Sequence, residues 1–322
     1  MNKKLNTIFS LTLFWVLILI FSSCKKEVQI DLPTSVEKIV VEGKIELGVP
    51  PYVILTRNTP YFGATNIEAI QNTFVHDAAV TVSDGTNTVT LTEFCSQSLP
   101  DSLLATIGSF TGISPNTLKN FNYCIYTTVN PLLFGQVQKT YSLTVTVNGK
   151  KITAATSILS PVKLDSIWSK YVRTNSSGDS LGFIWAHMHD PAGEQNAYRW
   201  LAKRIGKDYS FIAPQGATIN DKYFNGQSFD FAYNRGTMQF SNAKDDTNDE
   251  KGFFKVGDTV IVKFCTIDNA TYNFYRSLDI IISNDGNPFA SPSSVESNVS
   301  PKGEALGIWC GYGSVLDTVI FK

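Results

Sequence analysis

The chain has 322 residues, 43% of them apolar and 17% charged, with 27 basic and 28 acidic side chains and a formal net charge of −1. This balance excludes an intrinsically disordered chain, and no basic block is present to neutralise a phosphate backbone, so nucleic acid is excluded as a partner. Many Thr, Ser, Asn, Val, Ile, Tyr and Phe residues, set against a low share of Lys, Glu and Ala, favour strands over helices.

The chain opens with Lys3-Lys4, an apolar run from Ile8 to Phe21, and Ser22-Ser23-Cys24-Lys25-Lys26. A positive start followed by roughly 14 apolar residues has the proportions of a signal peptide, whose core runs ~7–15. A membrane span needs about 20. Small residues leading into a cysteine resemble a bacterial lipobox, in which the thiol takes a diacylglyceryl group and the chain is cut just before it. Phe21 stands where Leu or Val is usual. Residues 1–23 are therefore expected to be a lipoprotein signal peptide, with Cys24 the lipidated first residue of the mature chain. Two or more acyl chains anchor a protein stably. The polar stretch 24–36, with Pro33, then reads as a tether.

The first folded element is Lys38–Leu47, a buried run settling into alternation, followed after Pro50-Pro51 by a strand at Tyr52–Thr56. Residues 58–77 are expected to be a long loop or short helix. Val80-Thr81-Val82 and Val89–Thr92 flank an Asp84-Gly85 turn, with valines on one face and threonines on the other. A second hairpin joins Tyr141–Val147 to Lys151–Ser157 through Asn148-Gly149, both of which tolerate positive φ. Between the hairpins, 96–135 is rich in Pro, Asn and Gly and is expected to be irregular apart from a strand at Tyr123–Thr127. Short strands at this spacing predict an immunoglobulin-like β-sandwich over 37–160.

Ser160-Pro161 is the expected boundary of a second β-rich domain, 161–322. Its predicted strands are 162–168, 181–189, 198–205 and 259–266, with a turn at Asp190-Pro191-Ala192-Gly193. One helix is predicted near 269–283, capped by Asp268 and ended by Asp285-Gly286. Tyr272, Tyr275, Leu278 and Ile282 give it one apolar face. Residues 306–312 and 314–321 are expected to be two closing strands. The fold class is thus mainly β, with two sandwich-like domains.

Five cysteines are present. With Cys24 lipidated, four remain, and an exported chain favours disulfides. Four allow three pairings. One pair falls in each half, so Cys95–Cys124 and Cys265–Cys310 are expected, against buried free thiols. No CxxC spacing suggests zinc or a redox motif.

The order of several short motifs carries a resemblance: Cys24-Lys25-Lys26-Glu27, Asp31-Leu32-Pro33, Val40-Val41-Glu42-Gly43, Pro51–Arg57, Asp190-Pro191, Tyr198-Arg199, Phe224-Asn225-Gly226, Lys255–Asp258, Asn287-Pro288-Phe289 and Ser297-Asn298. Together they resemble an uncharacterised family of Bacteroidota lipoproteins built on a domain of unknown function and commonly encoded beside TonB-dependent outer-membrane receptors. The resemblance spans the mature chain. It implies an outer-membrane location, on the cell surface or the periplasmic face, and a receptor neighbourhood. It implies no catalytic residues.

Residue patterns for chemistry are sparse. His187 and His189 share one strand face about 7 Å apart and would need a third ligand to hold a metal; Phe183 and Trp185 precede them on that face, and His76 lies in the other half. A hydrogen-bonded edge pair is the reading preferred, and no metal or cofactor is assigned. The acidic stretch Lys244–Gly252 lacks the spacing of an EF-hand loop and reads as solvated. No G-x-S-x-G or phosphate loop is present. Loop aromatics, Tyr61-Phe62, Tyr223-Phe224 and Phe229 to Tyr233, are either a binding surface or plugs over the sandwich ends. Tyr223, Phe224, Asn225 and Gly226 are the candidate partner-binding residues. A non-catalytic accessory or binding subunit of a TonB-dependent nutrient-uptake receptor is the leading expectation. An envelope structural or adhesive protein is the alternative, with a hydrolase less favoured.

Overall fold

Asn148 and Gly149 take φ of 51° and 73°, the backbone that a tight hairpin demands, and they join β6 (Lys139–Val147) to β7 (Lys150–Ile158). The same logic pairs β3 (Ala79–Ser83) with β4 (Thr88–Cys95), which then switches partner midway. Its first half bonds β3, and Thr92–Cys95 bonds β5 (Cys124–Thr127). The computed structural model describes residues 36–59, 66–111, 113–193, 195–237, 244–284 and 294–322. The leader, Cys24, Tyr61-Phe62, Asp285-Gly286 and Asn287-Pro288-Phe289 lie outside the described residues. No helix among the described residues is long and apolar enough to cross a membrane.

The remaining strands are β1 (Ile39–Glu46), β2 (Tyr52–Arg57), β8 (Ser166–Thr174), β9 (Ser180–His189), β10 (Ala197–Arg204), β11 (Thr218–Asn220), β12 (Ser228–Tyr233), β13 (Phe254–Lys255), β14 (Thr259–Ile267) and β15 (Ala305–Ile320). The fold is mainly β. One sheet runs β11-β10-β14-β15-β1-β2-β5-β4-β3-β6-β7, and a second holds β12-β9-β13 with β8 on β9.

Alternation along β1 and β2 sends Ile39, Val41, Ile45, Val53 and Leu55 inward. There they meet Val80, Val82, Leu143, Val145 and Ile152 from the far end of the same sheet, so the sheet folds back on itself as a sandwich around a first core. A second core holds Ile184, Met188, Tyr198, Trp200, Phe254, Phe264 and Phe321, between β10–β14–β15 and the smaller sheet. Ser160-Pro161 does not separate the two cores, because Val299, Ala305 and Trp309 from beyond it pack in the first, and the backbone ladder crosses it too. β15 bonds β1 in parallel with its first half and β14 in antiparallel with its second, and Glu37–Lys322 forms one compact unit.

Three expectations are corrected here. The closing segment is one strand of 16 residues, not two. Gly311 and Gly313 do not interrupt it; a Cβ there would come within 2.5 Å and 2.0 Å of the Ser157 and Leu159 carbonyl oxygens, so their bareness lets the end of β7 lie on the strand. Residues 96–135 are not irregular: helices Asp101–Thr111 and Pro115–Asn120 bury Leu104, Ile107 and Leu118 over the outer face of β2 and β5. Phe229 to Tyr233 is strand β12, with Phe229 and Phe231 packed on the second core.

Cys95 and Cys124 stand opposite each other on β4 and β5 and are disulfide-bonded. Cys265 and Cys310 are not: both are free and buried. The β14–β15 register sets Cys265 against Ser314, four residues along β15 from Cys310. At ~3.3 Å per residue that is roughly 13 Å, well past the ~7 Å that a disulfide spans between Cα atoms. The expected helix is present as Asn269–Asn284. Asp268 Oδ1 accepts its Thr271 N–H at 2.8 Å, and Tyr272, Phe274 and Tyr275 lie over Cys265, Cys310 and Tyr312.

Candidate binding surface

Two loops meet at the end of the second lobe. One leaves β9 through Asp190–Gly193, and the other links β11 to β12 through Asp221–Gln227. A buried carboxylate joins them: Asp190 accepts the Tyr198 hydroxyl at 2.5 Å and the Gly226 N–H at 3.0 Å. Asn225 adds a second link, accepting the Gly193 N–H through Oδ1 (2.9 Å) and donating through Nδ2 to Asp221 (2.9 Å). Gly226 has φ +72°, and a Cβ there would stand 2.9 Å from that of Ala192, so glycine is needed for both turn and fit.

This construction divides the four candidate partner-binding residues. Tyr223 is 82% exposed, with Lys222 Nζ over its ring at 5.4 Å. Phe224 turns the opposite way, against Phe229 (4.5 Å between centroids) and Tyr198 (6.5 Å), as part of the second core. Asn225 and Gly226 build the loop. Only Tyr223 is free to meet a partner as an aromatic anchor.

Beside it lies a cleft of about 360 Å³ lined by Gln195, Asn196, Asn220, Asp221, Lys222, Asn225 and Asn269. Asn196 and Asp221 flank the Ala197–Asn220 pair of β10 and β11, and Asp221 accepts the Asn196 N–H at 2.8 Å. Asn196 is 4% exposed, and its Nδ2 has no hydrogen-bond partner among the described residues. Carboxamides both donate and accept, so the lining suits a polar ligand or a polar loop of a partner. Of these residues only Asn225 was singled out from the sequence. The available signal was the density of Asn, Gln and Asp just before β10 and just after β11.

Other constellations are occupied internally. His187 Nδ1 bonds Asp230 at 2.6 Å and His189 Nδ1 bonds Ser228 at 2.9 Å, each across the β9–β12 register. His76 and Glu93 (2.5 Å) stand near Cys95 and Cys124, but the disulfide takes both thiolates from any metal. The acidic stretch is held by cations: Arg204 grips Asp245, and Arg235 bonds Asp246 at 2.7 Å. Burial pushes the Cys265 and Cys310 thiols up to about 12, which leaves neither as a thiolate nucleophile near neutrality.

A search among curated proteins gives no match to this chain. A family match is extensive, covering residues 25–315. The first core, and all of the second but its residues beyond 315, fall inside that span, and on this coverage the chain belongs to the family described as Domain of unknown function (DUF4249).

Proposed function

We propose that the protein is a lipid-anchored, non-catalytic binding subunit at the outer membrane, an accessory to a TonB-dependent uptake receptor. The observation that carries this reading is Tyr223: an aromatic ring 82% exposed on a loop whose neighbours are tied by Asp190 and Asn225. A pre-ordered loop with an exposed aromatic loses little entropy on docking. The leader ending in Cys24 supports the anchor, and the family resemblance supports the receptor neighbourhood. Tethering to a membrane raises effective concentration, so a modest interface persists. The non-catalytic part of the reading draws on the buried thiols and on histidines engaged across strands.

Affinity purification of the full chain from membranes in mild detergent tests it. An integral outer-membrane barrel is expected to co-purify, and Tyr223→Ala to weaken that association by ~2 kcal/mol, on the order of a hot-spot truncation. Wild-type protein that brings down no barrel overturns the proposal.

A further inference from the structure

A second cleft, of about 170 Å³, lies on the outer face of the large sheet, where β10, β15, β1 and β2 pass under the Asn269–Asn284 helix. Alternation puts Glu42, Lys44 and Glu46 of β1 on this face, and the registers place Lys44 beside Cys310 and Tyr52, and Glu46 beside Tyr312. Arg199 and Leu201 reach it from β10, their neighbours Tyr198 and Trp200 facing the second core.

The cations here are unequally partnered. Glu46 accepts Lys263 at 2.5 Å and Ser314 at 2.9 Å, with Lys44 at 3.7 Å, so one carboxylate serves two ammonium groups. Burial opposes its ionisation, but these lysines hold its carboxyl below the ordinary range. Arg204 and Arg235, both buried, are each matched with aspartates. Arg199 is not. Its guanidinium lies 3.5 Å over the Tyr275 ring, Nη1 donates to Thr218 at 2.6 Å, and the buried Nε has no hydrogen-bond partner among the described residues. Tyr275 is itself held by the Tyr312 hydroxyl at 2.9 Å. Glu42 is exposed at the cleft and has no hydrogen-bond partner among the described residues. Lys44, Lys263 and Arg199 thus stand among Glu42, Glu46 and, from the overlying helix, Asp279, whose charge acts on Arg199, but among the described residues no carboxylate makes an ion pair with the guanidinium itself. A guanidinium fixed on an aromatic face without a carboxylate is built to receive one.

We propose that this cleft binds a small organic carboxylate, its anionic group against Arg199 and its body along Tyr52, Ile308 and Tyr312. No covalent step is involved: Cys310 lines the cleft but donates its thiol to the Gly43 carbonyl at 3.3 Å. The site is independent of the Tyr223 surface.

Calorimetric titration of the full-length protein with benzoate, benzamide and inorganic phosphate tests the proposal. Benzoate is expected to bind and its neutral isostere benzamide not to. Arg199→Gln should weaken benzoate binding about tenfold or more, the worth of a charged hydrogen bond. Because Arg199 is packed, that variant is paired with Glu42→Gln, which removes a like charge from the cleft mouth and should tighten binding while leaving the melting temperature unchanged or higher. Tighter binding cannot come from damage to the fold. Equal binding of benzoate and benzamide, no benzoate binding at all, or phosphate binding in place of benzoate would each overturn the proposal.

Discussion

Trp309 of β15 lies on the bare backbone of Gly43 in β1: a Cβ at Gly43 would sit 2.6 Å from Trp309 Cε3. The indole cannot slide away, because Nε1 donates to the Tyr141 carbonyl at 2.9 Å and Asn298 brackets the Trp309 backbone with two hydrogen bonds. Gly43→Ala is therefore expected to behave as an overpacked core and to cost about 1–3 kcal/mol. Urea denaturation of the variant beside the wild type measures this. An unchanged midpoint would mean that the parallel β1–β15 contact is looser than described.

Denatured but unreduced protein should take alkylating reagent at Cys265 and Cys310 and be protected at Cys95 and Cys124. Replacing Cys95 and Cys124 together with serine should destabilise the fold by about 3–4 kcal/mol, as expected for a loop closed at a sequence separation of 29. Peptide mapping and melting curves check the two parts separately.

Phe224 and Tyr223 are adjacent in sequence and opposite in consequence. Phe224→Ala opens a gap against Tyr198 and Phe229 and should cost about 2 kcal/mol, below the ~3–5 of a fully buried phenylalanine. Tyr223→Ala should stay within about 0.5 kcal/mol of wild type, as an exposed substitution does. Thermal melts of the two single variants distinguish them.

The β3–β4 turn carries an acid-sensitive contact. Asp84 accepts the Asn87 and Thr86 N–H groups at 2.7 Å and 3.0 Å and the Lys139 ammonium at 2.8 Å, and these hydrogen bonds hold its carboxyl well below the ordinary 3.8. A depressed folded-state pKa means a stabilising contribution present at neutral pH and lost as pH falls below 3.8. Asp84→Asn should lower the melting temperature at pH 7, and the difference from wild type should shrink with acidification. A constant difference down to pH 2 would contradict this account.

If Cys24 is the anchor, Cys24→Ala should move the protein from the membrane to the soluble fraction and abolish acylation, since the following polar stretch offers no apolar membrane contact. Fractionation and intact mass read both effects.

The hairpins were legible because period-2 alternation and Asn-Gly or Asp-Gly turns act within ten residues. The Asn269–Asn284 helix was legible from its Asp268 cap and from Tyr272 and Tyr275, although Ile282, expected on the same apolar face, is 43% exposed. The helices at Asp101–Thr111 and Pro115–Asn120 were hidden by Gly108, Ser and Thr, although Ser114-Pro115 carries a helix-start signal: Ser114 Oγ accepts the Thr117 N–H at 3.1 Å. The Cys265–Cys310 pairing failed because proximity there depends on how far β14 and β15 slide past each other, which local pattern does not encode. Tyr223 is exposed and Phe224 is packed inward, a difference between adjacent loop residues that local pattern does not encode.

The pairing of Ile39 with Ala305 couples the first and last of the described strands, and this sets an order of assembly. A chain synthesised from its amino end presents β1 long before its neighbour exists. Until the last strand arrives, one edge of β1 stays unsatisfied and apt to pair with another chain. Contacts of such long sequence separation also form slowly. Loss of the final strand by a premature stop would therefore not spare the first lobe; both cores would open, and quality control would see the whole chain as incomplete.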